Sequence, residues 1–306
     1  MAAAASAALS WCSRVYAALC IIAVQPSFWI RVGASGVVGT SLYLLFGFFI
    51  SRAFPRAVAR EVLSLSPRSD LGLALVSLVF GTLVISAFGV AHEQWGILLV
   101  YNDIAEHGWG YYFLSIPLYL LLWDFVFYVL HLALHIEPIY SYSHANHHAF
   151  RPPTAWSGIA IDPIESVFSG LAPYLCPLFV APFHLPTVYV INVLLVAWAL
   201  LLHSSAPWPG TWLFVGTVTH NMHHARGKSN NGNFGAIFKI YDRIFGTLVD
   251  ESKLPYWMEV EEAQRKQSAA AADDATDAAA AKRATVAARR KSPRTSPARR
   301  AYASAL

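Results

Sequence analysis

Eight of the twelve histidines in this 306-residue chain fall into three compact groups. His131 and His135 form H-x-x-x-H, His144, His147 and His148 form H-x-x-H-H, and His220, His223 and His224 repeat H-x-x-H-H. Imidazole suits Fe, Zn, Cu and Ni, and eight such side chains are twice the four that close a structural zinc site. On a helix, residues four apart share a face, so His131 and His135 can meet one ion. In H-x-x-H-H the first two histidines, three apart, are expected to share a face while the third points about 100° away, so one group can serve two metals. A dinuclear centre accounts for the count. His203 stands shortly before the last group and reads either as a ninth ligand or as a helix-terminal residue. The isolated His92, His107 and His184 read as interfacial polar side chains.

Asp124, Tyr128, His131 and His135 follow one helical face. A carboxylate inside an apolar run is expensive and by default functional. Asp124 is therefore a candidate catalytic-site residue that orients a ligand histidine or ligates directly, with satisfaction by a neighbouring helix as the structural alternative. Asp162, Glu165 and Asp242 are further candidates for orienting ligands, and Asn146, Asn221 and Asn233 either bond ligands or cap turns. The zinc-protease motif H-E-x-x-H is absent, since His92-Glu93 runs into Gln94-Trp95-Gly96, and hydrolysis through that motif is excluded. Cys12, Cys20 and Cys176 have neither metal-ligand nor redox spacing, and no disulfide framework is implied.

The elements that must carry these residues are apolar. The composition is 56% hydrophobic and 13% charged, with a mean hydropathy of +0.44, against about 25% charged in an ordinary soluble domain. About 20 residues cross the hydrocarbon, which predicts spans over roughly 34–50, 71–91 and 112–130. Residues 167–202 are too long for one span and are broken by Pro182 and Pro186, which predicts a helical hairpin. The first 31 residues read as an uncleaved membrane-associated or spanning segment rather than a signal peptide. The expected fold is an all-α integral membrane protein with four to five transmembrane helices, the hairpin included, and a cytosolic histidine-rich helical cap holding a dimetal site.

Charge gives the orientation. The loop 51–70 carries Arg52, Arg56, Arg60 and Arg68, whereas 92–111 has no Lys or Arg, so the first is expected in the cytosol and the second in the lumen. The hairpin crosses an even number of times, which brings all three histidine groups to the cytosolic side. The formal net charge of +4 belongs to a tail beyond about residue 259, rich in Ala, Arg, Ser and Pro, that reads as disordered and cytosolic. The expected domains are a membrane region at 1–97, a catalytic domain at 98–250 and a basic tail at 251–306.

An all-imidazole dinuclear site beside membrane helices suits iron that activates O2 against an unactivated C–H bond of a lipid. No flavin, nicotinamide or haem signature appears, so electrons are expected from a separate protein. A histidine-rich membrane metal transporter is the reading from a different class. It predicts ligands near the bilayer midplane, whereas these groups lie at the ends of spans.

The order H-x-x-x-H, H-x-x-H-H, hairpin, H-x-x-H-H, then Asn233-Phe234-Gly235 and Asp242-Arg243-Ile244-Phe245-Gly246-Thr247, resembles the fatty acid hydroxylase and sterol desaturase superfamily over about residues 98–250. Within it, Tyr101-Asn102-Asp103 and Trp123-Asp124-Phe125 through His131 look most like the Δ7-sterol C5(6)-desaturase (lathosterol oxidase) branch. Thr219-His220-Asn221-Met222-His223-His224 is similar also to alkylglycerol monooxygenase and sphingoid-base hydroxylase relatives. Leu132 and Ser143 stand where the family often has basic residues. The resemblance implies a non-haem diiron oxidoreductase of the endoplasmic reticulum that uses O2, with electrons from NAD(P)H passed through a reductase and cytochrome b5. It implies sterol C5(6) desaturation, or else hydroxylation of a sphingoid base, fatty acyl chain or alkylglycerol, and no nucleic acid partner.

Overall fold

The computed structural model describes residues 2–56, 58, 61–226 and 232–249. The expected tail at 251–306 lies outside them. Helix α1 (Ala2–Ala23) ends where Gln25 turns extended, and α2 (Pro26–Ala53) begins with Pro26 in the first turn, where its missing N–H costs nothing. Helix α3 (Asp70–Trp95) starts on Ser69, whose side chain accepts the Gly72 N–H at 3.1 Å, and stops at Gly96 in the left-handed conformation, φ 60°. Strand β1 (Val100–Tyr101) and a capped turn at Asp103 lead into α4 (Gly108–Leu134).

Beyond α4 the chain tightens. A π turn over Tyr140–His144 runs into α5 (Ala145–Ala149), the two together carrying the first H-x-x-H-H. A short 3-10 turn (Ala155–Ile159) precedes α6 (Pro163–Glu165), a π turn (Ser166–Leu171), α7 (Ala172–Leu175) and a final 3-10 turn (Cys176–Phe179). Strand β2 (Phe183–His184) opens α8 (Leu185–Leu202), and α9 (Thr217–Arg226) and α10 (Ile240–Ile244) follow.

Four helices are long and apolar enough to cross a membrane: α2, α3, α4 and α8. Three match the expected single spans, α2 and α4 extended by several residues at both ends and α3 by one residue at its start and four at its end. The hairpin has unequal arms: its return arm is the regular α8, while the outgoing arm is the broken series from Pro163 to Phe179. At its tip β2 pairs in parallel with β1, the Tyr111 hydroxyl donates to the Pro182 carbonyl at 2.8 Å, and the Leu99 N–H donates to the Leu178 carbonyl at 2.7 Å. The loop after α3 and the hairpin tip therefore share one end of the bundle. Every clustered histidine lies at the other.

Close approach holds that end together. A Cβ on Gly158 would come 2.8 Å from the Leu200 Cα, so only glycine lets the 155–159 turn lie against α8. The buried Tyr43 hydroxyl of α2 donates to the Trp156 carbonyl at 2.7 Å, and the Thr154 hydroxyl donates to Asp70 of α3 at 2.8 Å.

Candidate metal centre

Nine imidazoles meet where the ends of α4 and α8 face α5 and α9. The ligand atoms of His131, His135, His144, His148 and His223 all lie within 4.8 Å of one another, and those of His147, His203 and His224 form a second such group. His220 joins the second, its Nε2 being 3.0 Å from that of His203. Each H-x-x-H-H motif is thus split between two centres, but not as its spacing suggested. His144 and His148, four apart, go together with Nε2 atoms 3.0 Å apart, and His220 and His224 both face His203. The middle residues His147 and His223 diverge. A four-residue step returns within about 40° of the same face, a three-residue step within about 60°, and here the tighter one wins.

Backbone carbonyls set the tautomers. His131 Nδ1–H donates to Phe234 at 2.9 Å, His147 to Ala160 at 3.1 Å, His203 to Ala199 at 2.7 Å and His223 to Gly232 at 3.1 Å. His144 Nδ1 lies 2.8 Å from Glu165 Oε1, with both side chains buried. Each carbonyl bond leaves an Nε2 lone pair aimed inward. His147 and His203 then face each other with bare Nε2 atoms 3.3 Å apart, and both ring nitrogens of His135 are buried without a partner.

That arrangement fits a cation. Lone pairs in contact repel unless a positive charge lies between them, and metal–nitrogen bonds of about 2.1 Å place neighbouring ligand atoms about 3.0 Å apart at right angles or about 3.4 Å apart in a tetrahedron. The observed separations of 2.9 to 3.3 Å fall in that window. Burial also keeps the rings in the neutral form that ligation needs. It pushes His135 and His147 down to about 4 and His203 to about 3, while His144, His148, His220, His223 and His224 fall well below the ordinary range through burial and then neighbouring imidazoles.

Asp124 stands differently from the sequence expectation. It touches no histidine; its carboxylate accepts the backbone N–H groups of Ala236, Ile237 and Phe238 at 2.8 to 3.0 Å. Asp242 accepts those of Phe234 and Gly235, both at 2.9 Å, and the Thr247 hydroxyl. The stretch Gly232–Phe238 carries the carbonyls that orient His131 and His223, so both carboxylates act on the centre through this loop. Asp162 accepts from Asn146, and Asn221 bonds Arg56 and the carbonyls of Leu202, Ser204 and Thr217. Sequence reasoning missed the carbonyls; the Asn233-Phe234-Gly235 run was the signal that could have located them.

A cavity of about 650 Å³ opens against the histidines and runs between α2, α3, α4 and α8. Val38, Leu42, Leu78, Trp123 and Phe127 are among the residues that make its surface mainly apolar, and Arg31, Ser77, Glu165 and Asn192 add polar groups beside the histidines. Its size and apolar lining are those of a small-molecule site.

Comparison with known proteins points the same way. Residues 116–247 match the model of the fatty acid hydroxylase family. A Delta(7)-sterol 5(6)-desaturase of Gibberella zeae is 30% identical over 176 residues, covering 56% of this chain and 53% of its own length. Lathosterol oxidase of Rattus norvegicus is 27% identical over 161 residues, 51% of this chain and 52% of that protein. A very-long-chain aldehyde decarbonylase of Oryza sativa is 34% identical over 137 residues, 43% and 51%. The chain spans about half the length of these relatives. No solved structure matches it. The superfamily and sterol desaturase resemblance drawn from the motifs is borne out.

Proposed function

We propose that the chain is a membrane-bound non-haem diiron oxidoreductase that uses O2 to desaturate a sterol at C5(6). The observation that carries the reading is the convergence of nine imidazoles, eight of them buried and His135 partly so, on the wall of an apolar cavity set among membrane helices. His131, His135, His144, His148 and His223 would hold one iron, and His147, His203, His220 and His224 the other. Iron bound there supplies the activation of O2 that removal of an unactivated hydrogen demands.

The protein's own part is to bind, orient and exclude. Carbonyls of Phe234, Ala160, Ala199 and Gly232 hold ligand rings in the Nε2-inward tautomer, and the Glu165 carboxylate lies 2.8 Å from His144 Nδ1. The cavity takes the apolar body of the substrate from the bilayer and keeps water from the reacting carbon. Electrons come from NAD(P)H through cytochrome b5 and its reductase. The arginines of the 51–70 loop support a histidine-bearing end that faces the cytosol, from the membrane of the endoplasmic reticulum.

Hydroxylation of a sphingoid base, fatty acyl chain or alkylglycerol is the second reading, favoured by the match to the fatty acid hydroxylase model. Both begin with loss of one substrate hydrogen. Expression in cells lacking the sterol C5 desaturase, followed by sterol and sphingolipid profiling, separates them. A restored Δ5,7 diene supports desaturation, a new hydroxylated lipid supports the second reading, and an unchanged profile from membrane-inserted protein with a working reductase chain overturns both.

A further inference from the structure

We infer that residues 208–214 and 240–245 form a re-entrant wedge immersed in the leaflet on the histidine-bearing side, with acyl chains of the bilayer as its partner. Depth along α4 carries the argument. The Tyr241 hydroxyl donates to the Leu121 carbonyl at 2.9 Å, and the Tyr241 ring packs on Phe125 at 5.3 Å. At 1.5 Å per residue, Leu121 lies about 20 Å down the helix from Leu134. Helix α4 is about 40 Å long against about 30 Å of hydrocarbon, so even with the whole excess assigned to the histidine end, Leu121 remains about 10 Å inside. The return arm of the hairpin agrees. Trp198 of α8 donates its indole N–H to the Ala236 carbonyl at 2.8 Å and packs on Trp208 at 5.2 Å. Trp198 is about 6 Å below the end of a helix that is itself only about 27 Å long.

The surface at that depth is what hydrocarbon requires. Trp212, Ile244 and Phe245 are 73%, 64% and 55% exposed, and Phe214 is exposed beside them. Irregular backbone is tolerated there only when its polar groups are satisfied within the protein. The 208–216 and 234–240 stretches meet this by pairing: Val215 N–H donates to Ile237 at 2.9 Å and Lys239 N–H to Leu213 at 2.7 Å. Asp124 and Asp242 take the five consecutive N–H groups from Phe234 to Phe238. The cations are handled as well. Lys239 Nζ donates to the Pro209 carbonyl, and the Arg243 guanidinium lies over the Trp212 ring at 5.1 Å and donates to the Trp212 carbonyl. The two carboxylates thus let a non-helical segment enter the bilayer and reach the cavity wall at Ala236.

The test places a nitroxide label at Trp212→Cys and separately at Ile244→Cys in the full chain. Cys12, Cys20 and Cys176 are replaced by alanine, and the protein is reconstituted in phosphatidylcholine nanodiscs. Val190→Cys on the outer face of α8 calibrates hydrocarbon, and Arg68→Cys on the loop before α3 calibrates water. Both wedge labels are expected to favour O2 over a water-soluble nickel relaxant, as Val190→Cys does. Nickel accessibility matching Arg68→Cys overturns the wedge, and so does exclusion of both reagents, which would mark a protein interface instead.

Discussion

Asp124 of α4 and Asp242 of α10 grip one loop from two sides, dividing its five successive N–H groups three to two. The same loop carries the Phe234 and Gly232 carbonyls that fix His131 and His223, two histidines from different helices that belong to the same five-histidine group. Orientation of one half of the centre is therefore set by residues that touch no imidazole.

Asp124→Asn replaces an acceptor-only carboxylate with a side chain that turns an N–H toward one of three donors. One orphaned backbone N–H costs about 1 to 3 kcal/mol. The expected outcome is a lowered melting temperature and selective loss of metal from the His131 group, read by thermal unfolding in detergent and by elemental analysis. Full metal content at unchanged stability would remove Asp124 from this role.

His147→Ala and His223→Ala each strike a different group. Each is expected to abolish turnover, to lower bound metal by about half and to leave the protein in the membrane, since one truncated imidazole does not alter the apolar spans. Turnover and metal content are measured on the same preparation. Activity retained in both variants would sink the ligand assignment.

The long elements and the clustering were legible because each has a local signal. Apolar length marks α2, α3, α4 and α8, and hairpin parity brought His131, His147 and His223 to one end before any contact was known. The partition between two centres was not legible. It depends on whether the three- or four-residue step wins in helices as short as α5, which packing decides. Asp124 misled because an intramembrane carboxylate signals need without naming the partner, and its partners are main-chain groups more than a hundred residues away. Carbonyl acceptors such as Phe234 and Ala160 carry no side-chain signature at all.

Acidity should release the metal and then the fold. In the metal-free protein His135 and His147 titrate near 4 and His203 near 3, against about 6.5 in the unfolded chain. Between these values the unfolded state binds more protons, so stability is complete above about pH 6.5 and falls as the pH drops toward 4, by up to about 1.4 kcal/mol per pH unit for each histidine. Melting temperatures of chelator-treated protein should be flat from pH 7 to 8 and decline below about 6.5. A flat profile down to pH 4.5 would show that these rings are not buried as described.

Gly158→Val tests whether the second centre depends on the approach of the 155–159 turn to α8. A Cβ there would meet the Leu200 Cα at 2.8 Å and the Leu200 nitrogen at 2.9 Å, backbone atoms that no rotamer change can move. Relief must come from shifting the end of α8, which carries His203, or from shifting the turn that leads to Ala160, the acceptor of His147. Overpacking of this kind costs about 1 to 3 kcal/mol. Both routes disturb the His147, His203 and His224 group before they reach His131 or His223. Metal loss should therefore be confined to about half of the total, with activity falling at least tenfold while membrane insertion persists. A variant with full metal content and activity would mean that α8 tolerates displacement and that His203 does not need its present position.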